Sequence, residues 1–251
     1  MSKQEFTTLG KNILEFRYDP IISFYDWKGS LAEHLIQKLG FEGFRITNNR
    51  IDLVNPDNQD FLVFVSMQNA GLSFENNTEM DVLNEKITKF LDALKDFKQF
   101  KPKRIVRLGV RSTFLRHKKN ISFLQIKNSF EENIIKLNKT PYEKFEGEVL
   151  IDVGLPLNFK GEKFNYNITQ GPMEQSQSLA QFFVNKLVYT EGSGTPKSFV
   201  PKHGLFFEID VFKNNLGDIS IDQLKETAHE FATTGKSKFE IISNELFSKI
   251  T

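Results

Sequence analysis

Segments with the two-residue period of strands come in groups joined by hairpin signals, and segments with helical spacing stand between the groups. That order confines the chain to an α+β fold with mainly antiparallel sheets packed against long helices. Ile13–Tyr18 alternates as a strand and stops at Asp19-Pro20. Trp27, Leu31, Leu35 and Leu39 share one face of a helix over Phe24–Leu39, with Gly40 at its C-cap. Phe44, Ile46, Ile51 and Leu53 then alternate around Asn48-Asn49, and because Asn tolerates positive φ a two-residue hairpin is expected. Phe61–Met67 is an apolar strand that Leu72–Phe74 can pair with. Thr78, with Asp81 three residues on, marks a helix start, and Leu83, Ile87, Phe90, Leu94 and Phe97 form its buried stripe to about Lys98. Arg104–Phe114 follows as a strand.

The second half opens with a helix over Phe123–Leu137, then strands over Glu148–Leu155 and around Phe164, Tyr166 and Ile168. Gln175–Leu187 is helical by spacing, and Thr190–Lys202 is the most loop-like segment. Leu205–Phe212 is the clearest strand. Ser220 and Gln223 form a capping box for a helix whose spacing runs through Leu224, Ala228 and Phe231, breaks near Gly235 and resumes at Phe239. The halves 1–117 and 118–251 each read as strands followed by a helix, as duplication would leave them, although no residue-level repeat joins them. They either stand apart or merge into one integrated domain.

Charge gives the functional signal. Between Lys95 and Lys119 stand ten Lys and Arg and a single acid, Asp96, in a chain of net charge +1. Positive charge gathered into one stretch attracts anions. Alternation places Val106, Leu108 and Val110 on one face, and Ile105, Arg107, Gly109 and Arg111 on the other. Arg107 and Arg111 then stand roughly 13 Å apart along the strand, at about 3.3 Å per residue. Lys103 and Arg116 extend the anion-binding set, with Lys101, Lys118 and Lys119 around it. Guanidinium forks suit phosphate and carboxylate oxygens, and Gly109 leaves room for close approach. The competing structural roles are pairing of the arginines with Glu15, Glu42 or Glu75, compensation of a helix dipole by Lys95 and Lys98, and protection of a strand edge. Overall neutrality, at a pI near 7.8, weighs against a dedicated nucleic-acid binder.

Other chemistries are narrowed or set aside. The chain has no cysteine, which excludes disulfides, thiolate zinc sites and cysteine nucleophiles. Gly192–Ser198 (GSGTPKS) has Pro196 where a phosphate-binding loop needs Gly before its Lys, so no amide cradle forms there. His34, His117, His203 and His229 lack the spacing of a helical metal site, and a hydrogen-bonded structural role is expected for all four. Asp152, Glu208 and Asp210 sit on strands where carboxylates could act as acid, base or ligand, but no third ligand is in view. No serine elbow or dinucleotide fingerprint exists, and neither a metal nor a cofactor is expected. The first residues lack a signal peptide's pattern and no apolar run is long enough to cross a bilayer, so a cytoplasmic location without membrane contact is expected.

Three segments resemble a sporadically distributed family of uncharacterised prokaryotic proteins of similar size: ILEFRYDP (Ile13–Pro20) with the helix ending at Gly40, RIVRLGVR (Arg104–Arg111), and AHEFATTGKSKFEIISNELFSKI (Ala228–Ile250). The resemblance implies a cytoplasmic location, patchy distribution and links to mobile elements or phage defence, and supplies no catalytic residue. Ser193–His203 departs from the family's pattern. The expectation is a non-catalytic binding protein whose basic strand meets a protein or nucleic-acid partner. The alternatives are an enzyme acting on a phosphorylated substrate or nucleic acid, using Asp152, Asp210 or His229, and a structural homo-oligomer subunit.

Overall fold

The fold comes from a computed structural model that describes residues 6–55, 60–75, 78–136, 153–177 and 200–250. The described strands are β1 (Phe6–Tyr18), β2 (Gly43–Ile46), β3 (Arg50–Val54), β4 (Phe61–Ser66), β5 (Asn69–Glu75), β6 (Ile105–Lys118), β7 (Leu155–Lys160), β8 (Asn165–Glu174) and β9 (His203–Gly217). The described helices are α1 (Phe24–Leu39), α2 (Met80–Asp96), α3 (Phe123–Phe130), which runs into a π-helical turn (Glu131–Ile135), and α4 (Ile221–Ser248). All nine strands form one antiparallel sheet in the order β2-β3-β4-β5-β1-β6-β9-β8-β7. The class is α+β.

Outward from the central β1–β6 pair, the described elements follow the same course twice. β1 leads through α1 into the meander β2–β5, which returns to pair with β1 and continues into α2. β6 leads through α3 into β7–β9, which returns to pair with β6 and continues into α4. Residue 117 lies inside β6, so the two stretches of chain meet within a continuous sheet.

Strand alternation sends Leu14 and Phe16 of β1, Leu108, Val110 and Phe114 of β6, and Phe207, Ile209 and Val211 of β9 into one core against the helices. Within that core Phe114 stacks on Phe239 of α4 at 4.3 Å between centroids, and the polar Asn12 and Ser112 are buried beside it. α4 is continuous for 28 residues through Gly235, where sequence spacing implied a break. The reason is close packing: a Cβ at Gly235 would lie 3.3 Å from Ile209 and 3.4 Å from Ser112 Oγ, so the spacing falters where the helix touches the sheet. The Ser220–Gln223 capping box is formed, as is one at Ser122–Gln125.

Three local expectations are corrected. Neither Asn48 nor Asn49 adopts positive φ, although the hairpin pairs in the expected register with Ile46 opposite Ile51. Glu79 rather than Thr78 caps α2, with no side-chain hydrogen bond. The register shifts between Ile105 and Arg107, which turns Ile105 into the core and moves Val106 to the other face. Of the Glu148–Leu155 strand, only residues from Val153 are described. The rest of it, most of the Gln175–Leu187 helix and the loop through residue 199 lie outside the described residues. Among the described residues no helix is long and apolar enough to cross a membrane.

Candidate functional site

The sheet's second face, opposite the helices, carries the odd-numbered residues of β1 and β6 and the even-numbered residues of β9. A small apolar cluster of Leu9, Leu115, Phe206 and Val200 closes one end. Further along, the residues become ionic. The register places Arg17 opposite Arg107, Glu15 opposite Gly109, and Ile13 opposite Arg111, which in turn lies opposite Asp210 of β9.

Five charges alternate in sign across these strands. Arg17 Nε donates to Glu15 Oε1 at 2.7 Å, and Arg107 Nη2 donates to Asp210 Oδ2 at 2.7 Å. Arg111 Nη2 lies 3.9 Å from the same Asp210 oxygen. Asn69 Nδ2 also donates to Glu15 Oε1, at 3.3 Å. Burial pushes the Glu15 carboxyl up, but hydrogen bonds from Arg17 and Asn69 and the nearby charges of Arg17 and Arg107 outweigh it, so its pKa falls. Arg17 is raised by its hydrogen bond to Glu15, with Asp210 adding to the effect. The inner members are sheltered, with Arg107 20% and Asp210 14% exposed, whereas the end groups Arg17 and Arg111 are 56% and 52% exposed.

Gly109 explains why Asp210 serves Arg107 more closely than the Arg111 directly opposite it. A Cβ at Gly109 would meet the Arg107 guanidinium at 2.6 Å, so the missing side chain lets Arg107 lie along its own strand. There it reaches Asp210 and rests 4.9 Å from the centroid of Phe212. The group that approaches Gly109 is therefore Arg107 itself, in the space that the sequence left for a ligand. A similar device stands across Glu15: Gly71 makes room for the Phe64 ring, which carries Arg50 at 4.4 Å.

At the Arg17 end the ladder opens into a cleft of about 390 Å³, lined by Glu15, Arg17, Tyr18, Asp19, Pro20, Gln68, Asn69 and Val106. A second polar row runs parallel to the ladder. Lys11 pairs with Glu75 at 2.9 Å, and Thr113 donates to Glu208 at 3.3 Å.

The expected site residues separate. Arg107 and Arg111 share the second face. Lys103 is exposed in the turn before β6. Arg116 points to the helix side, where Nη1 donates to Ser243 Oγ at 2.6 Å and Asn244 Oδ1 at 2.8 Å, and the guanidinium covers Phe6. Burial lowers its pKa, and from that side it does not join Arg107 and Arg111. The wider basic stretch is similarly divided: Lys95 pairs with Asp222 and Arg104 with Asp19. Of the acids considered as partners, Glu15 and Glu75 take Arg17 and Lys11. Asp210 holds Arg107. The usable signal lay in β9, whose outward Glu208 and Asp210 are opposite in sign to the outward basic side chains of β6.

The histidines tie elements together. His34 Nε2 donates to Ala93 O at 2.9 Å, linking α1 to α2. His229 Nε2 lies 3.2 Å from both Asn84 O and Thr88 Oγ1, linking α4 to α2, and burial lowers its pKa. His117 Nδ1 donates to His203 O and His203 Nε2 to Ile121 O. Among the described residues no group of three or more His, Cys, Asp or Glu could hold a metal ion. Asp152 lies outside the described residues.

No family model, no curated protein and no solved structure matches the chain.

Proposed function

We propose that the chain is an intracellular, non-catalytic binding protein of the sporadically distributed family its sequence resembles, and that it docks an anionic group of a partner on Arg111. The supporting observation is the geometry at Asp210. That carboxylate already accepts from Arg107 at 2.7 Å, which leaves Arg111 a 3.9 Å contact on a half-exposed side chain. A phosphate or carboxylate oxygen from outside can take up the Arg111 fork without breaking the closer pair. Arg107 fixes the carboxylate and thereby the position of Arg111.

The five-charge ladder has three cations and two anions, so its field is weak and its recognition short-ranged. This favours an acidic protein segment over a nucleic-acid backbone, whose binding draws on many phosphate contacts at once. In this reading Asp210, the carboxylate beside the arginines, serves as their counter-ion, and His229 ties α4 to α2 on the helix side of the sheet.

The reading is tested by following the arginine Nε–Hε NMR signals during titration with polyglutamate and, separately, with a single-stranded oligonucleotide. The Arg111 signal should shift with polyglutamate, and Arg111→Ala should weaken binding roughly tenfold or more, the range of a charged hydrogen bond. An Arg111 signal that neither polymer moves would end the proposal, and a preference for the oligonucleotide would replace the protein partner with nucleic acid.

A further inference from the structure

Among the described residues, the two edges of the sheet are built differently. In the β2–β3 hairpin, Thr47 N–H donates to Arg50 O at 2.8 Å, which makes Thr47 and Arg50 a hydrogen-bonded pair. Antiparallel ladders alternate, so Arg45 and Gly43 also point their backbone groups inward to β3. Phe44 and Ile46 therefore point their N–H and C=O outward. At the opposite edge, Gly161 N–H donates to Phe164 O at 3.1 Å, and the same alternation turns the backbone of Pro156, Asn158 and Lys160 outward from β7. Proline offers no donor, and lysine resists being covered by another strand. β7 is guarded at its outward positions, and β2 is not.

The side chains of β2 fit an added strand. Phe44 is 59% and Ile46 39% exposed, and both lie on the helix-side surface of the sheet where α1 does not cover them. Lys28 of α1 donates to Thr47 O and Asn48 O and stacks on the half-exposed Tyr25, which holds the hairpin tip in place.

We infer that β2 pairs antiparallel with β2 of a second copy, across a two-fold axis at Phe44. The register follows from two constraints. Paired residues must face the same side of the joined sheet, so Phe44 pairs either with itself or with Ile46. Pairing with Ile46 would set Arg45 directly against its own copy, and like charges in that position repel. Pairing Phe44 with itself sets Arg45 opposite Gly43, which has no side chain, and brings Ile46 diagonally beside the partner's Phe44. The surface is thus complementary to itself, as a closed two-fold contact requires. The inference is independent of the anion site, which lies on the central strands.

The absence of cysteine from the chain makes a direct test possible. A hydrogen-bonded antiparallel pair holds its Cα atoms about 5.5 Å apart, within disulfide reach. Phe44→Cys should therefore form a covalent dimer under mild oxidation, and Arg45→Cys should not. Sedimentation of the unaltered chain should give twice 29.0 kDa, and Ile46→Lys should shift it to monomer with its circular dichroism unchanged. Asn158→Lys on the other edge should leave the dimer intact. A monomer at all concentrations, a dimer that survives Ile46→Lys, or equal cross-linking at positions 44 and 45 would overturn the inference.

Discussion

The two faces of β6 solve the same packing problem with different chemistry. On the helix side, Leu108, Val110 and Phe114 are buried against α4 and the neighbouring strands, and stability comes from area removed from water. On the second face, Arg107 and Arg111 both cross to Asp210 of β9, and order comes from the geometry of charge pairs. The first face is dense and tolerates little change. The second holds Arg107 and Asp210 at 2.7 Å and leaves Arg111 half-exposed, with a 3.9 Å contact. A single strand therefore carries both an apolar core face and a charged face, separated only by the direction of alternate side chains.

Substitutions should measure the contrast. The largest loss is expected at Phe239, whose ring stacks on Phe114: Phe239→Ala should cost about 3–5 kcal/mol in chemical denaturation, and a loss under 1 kcal/mol would mean the helix layer is looser than its burial implies. On the second face, Asp210→Asn leaves the sheltered Arg107 without its counter-ion and should cost about 1–3 kcal/mol. Gly109→Val should cost a similar amount, because its Cβ displaces the same guanidinium, and the two changes combined should be less than additive. Arg111→Ala should change stability by no more than about 0.5 kcal/mol, as exposed positions do, while anion binding falls.

The smallest effect is one of pH. The Glu15 carboxyl sits lower in the folded chain than in the unfolded one. Its stabilising share is present above the ordinary glutamate pKa of about 4.3 and is lost as pH falls through the lower, folded value. The stability difference between the unaltered chain and Glu15→Gln should narrow on acidification through that window. A constant difference would mean that the Glu15 charge is not coupled to folding.

Legibility in the sequence followed the range of the interaction. The limits of α1, its Gly40 cap, the stripe of α2 and the Ser220 capping box were local and readable. The common face of Arg107 and Arg111 was readable too, because alternation holds beyond the shifted register at Ile105. The side to which Arg116 turns depends on the same alternation, but its partners Ser243 and Asn244 lie on α4, more than a hundred residues on, and no local signal names them. The Asp210 pairing needed the knowledge that β9 lies beside β6. Gly235 misled because a helix in close contact with a sheet calls for a small residue there, which periodicity reads as an interruption.

The first of the described strands in chain order is also the central one. β1 gains its β5 neighbour once residues 69–75 are made, but its other neighbour ends at residue 118, and β9 comes later still. Throughout synthesis of the intervening chain, β1 exposes one long edge of backbone donors and acceptors. Pairing over such distances slows folding, and an open edge invites association between nascent chains. Ribosome-bound fragments ending before β6 should therefore depend on chaperones far more than those that include it.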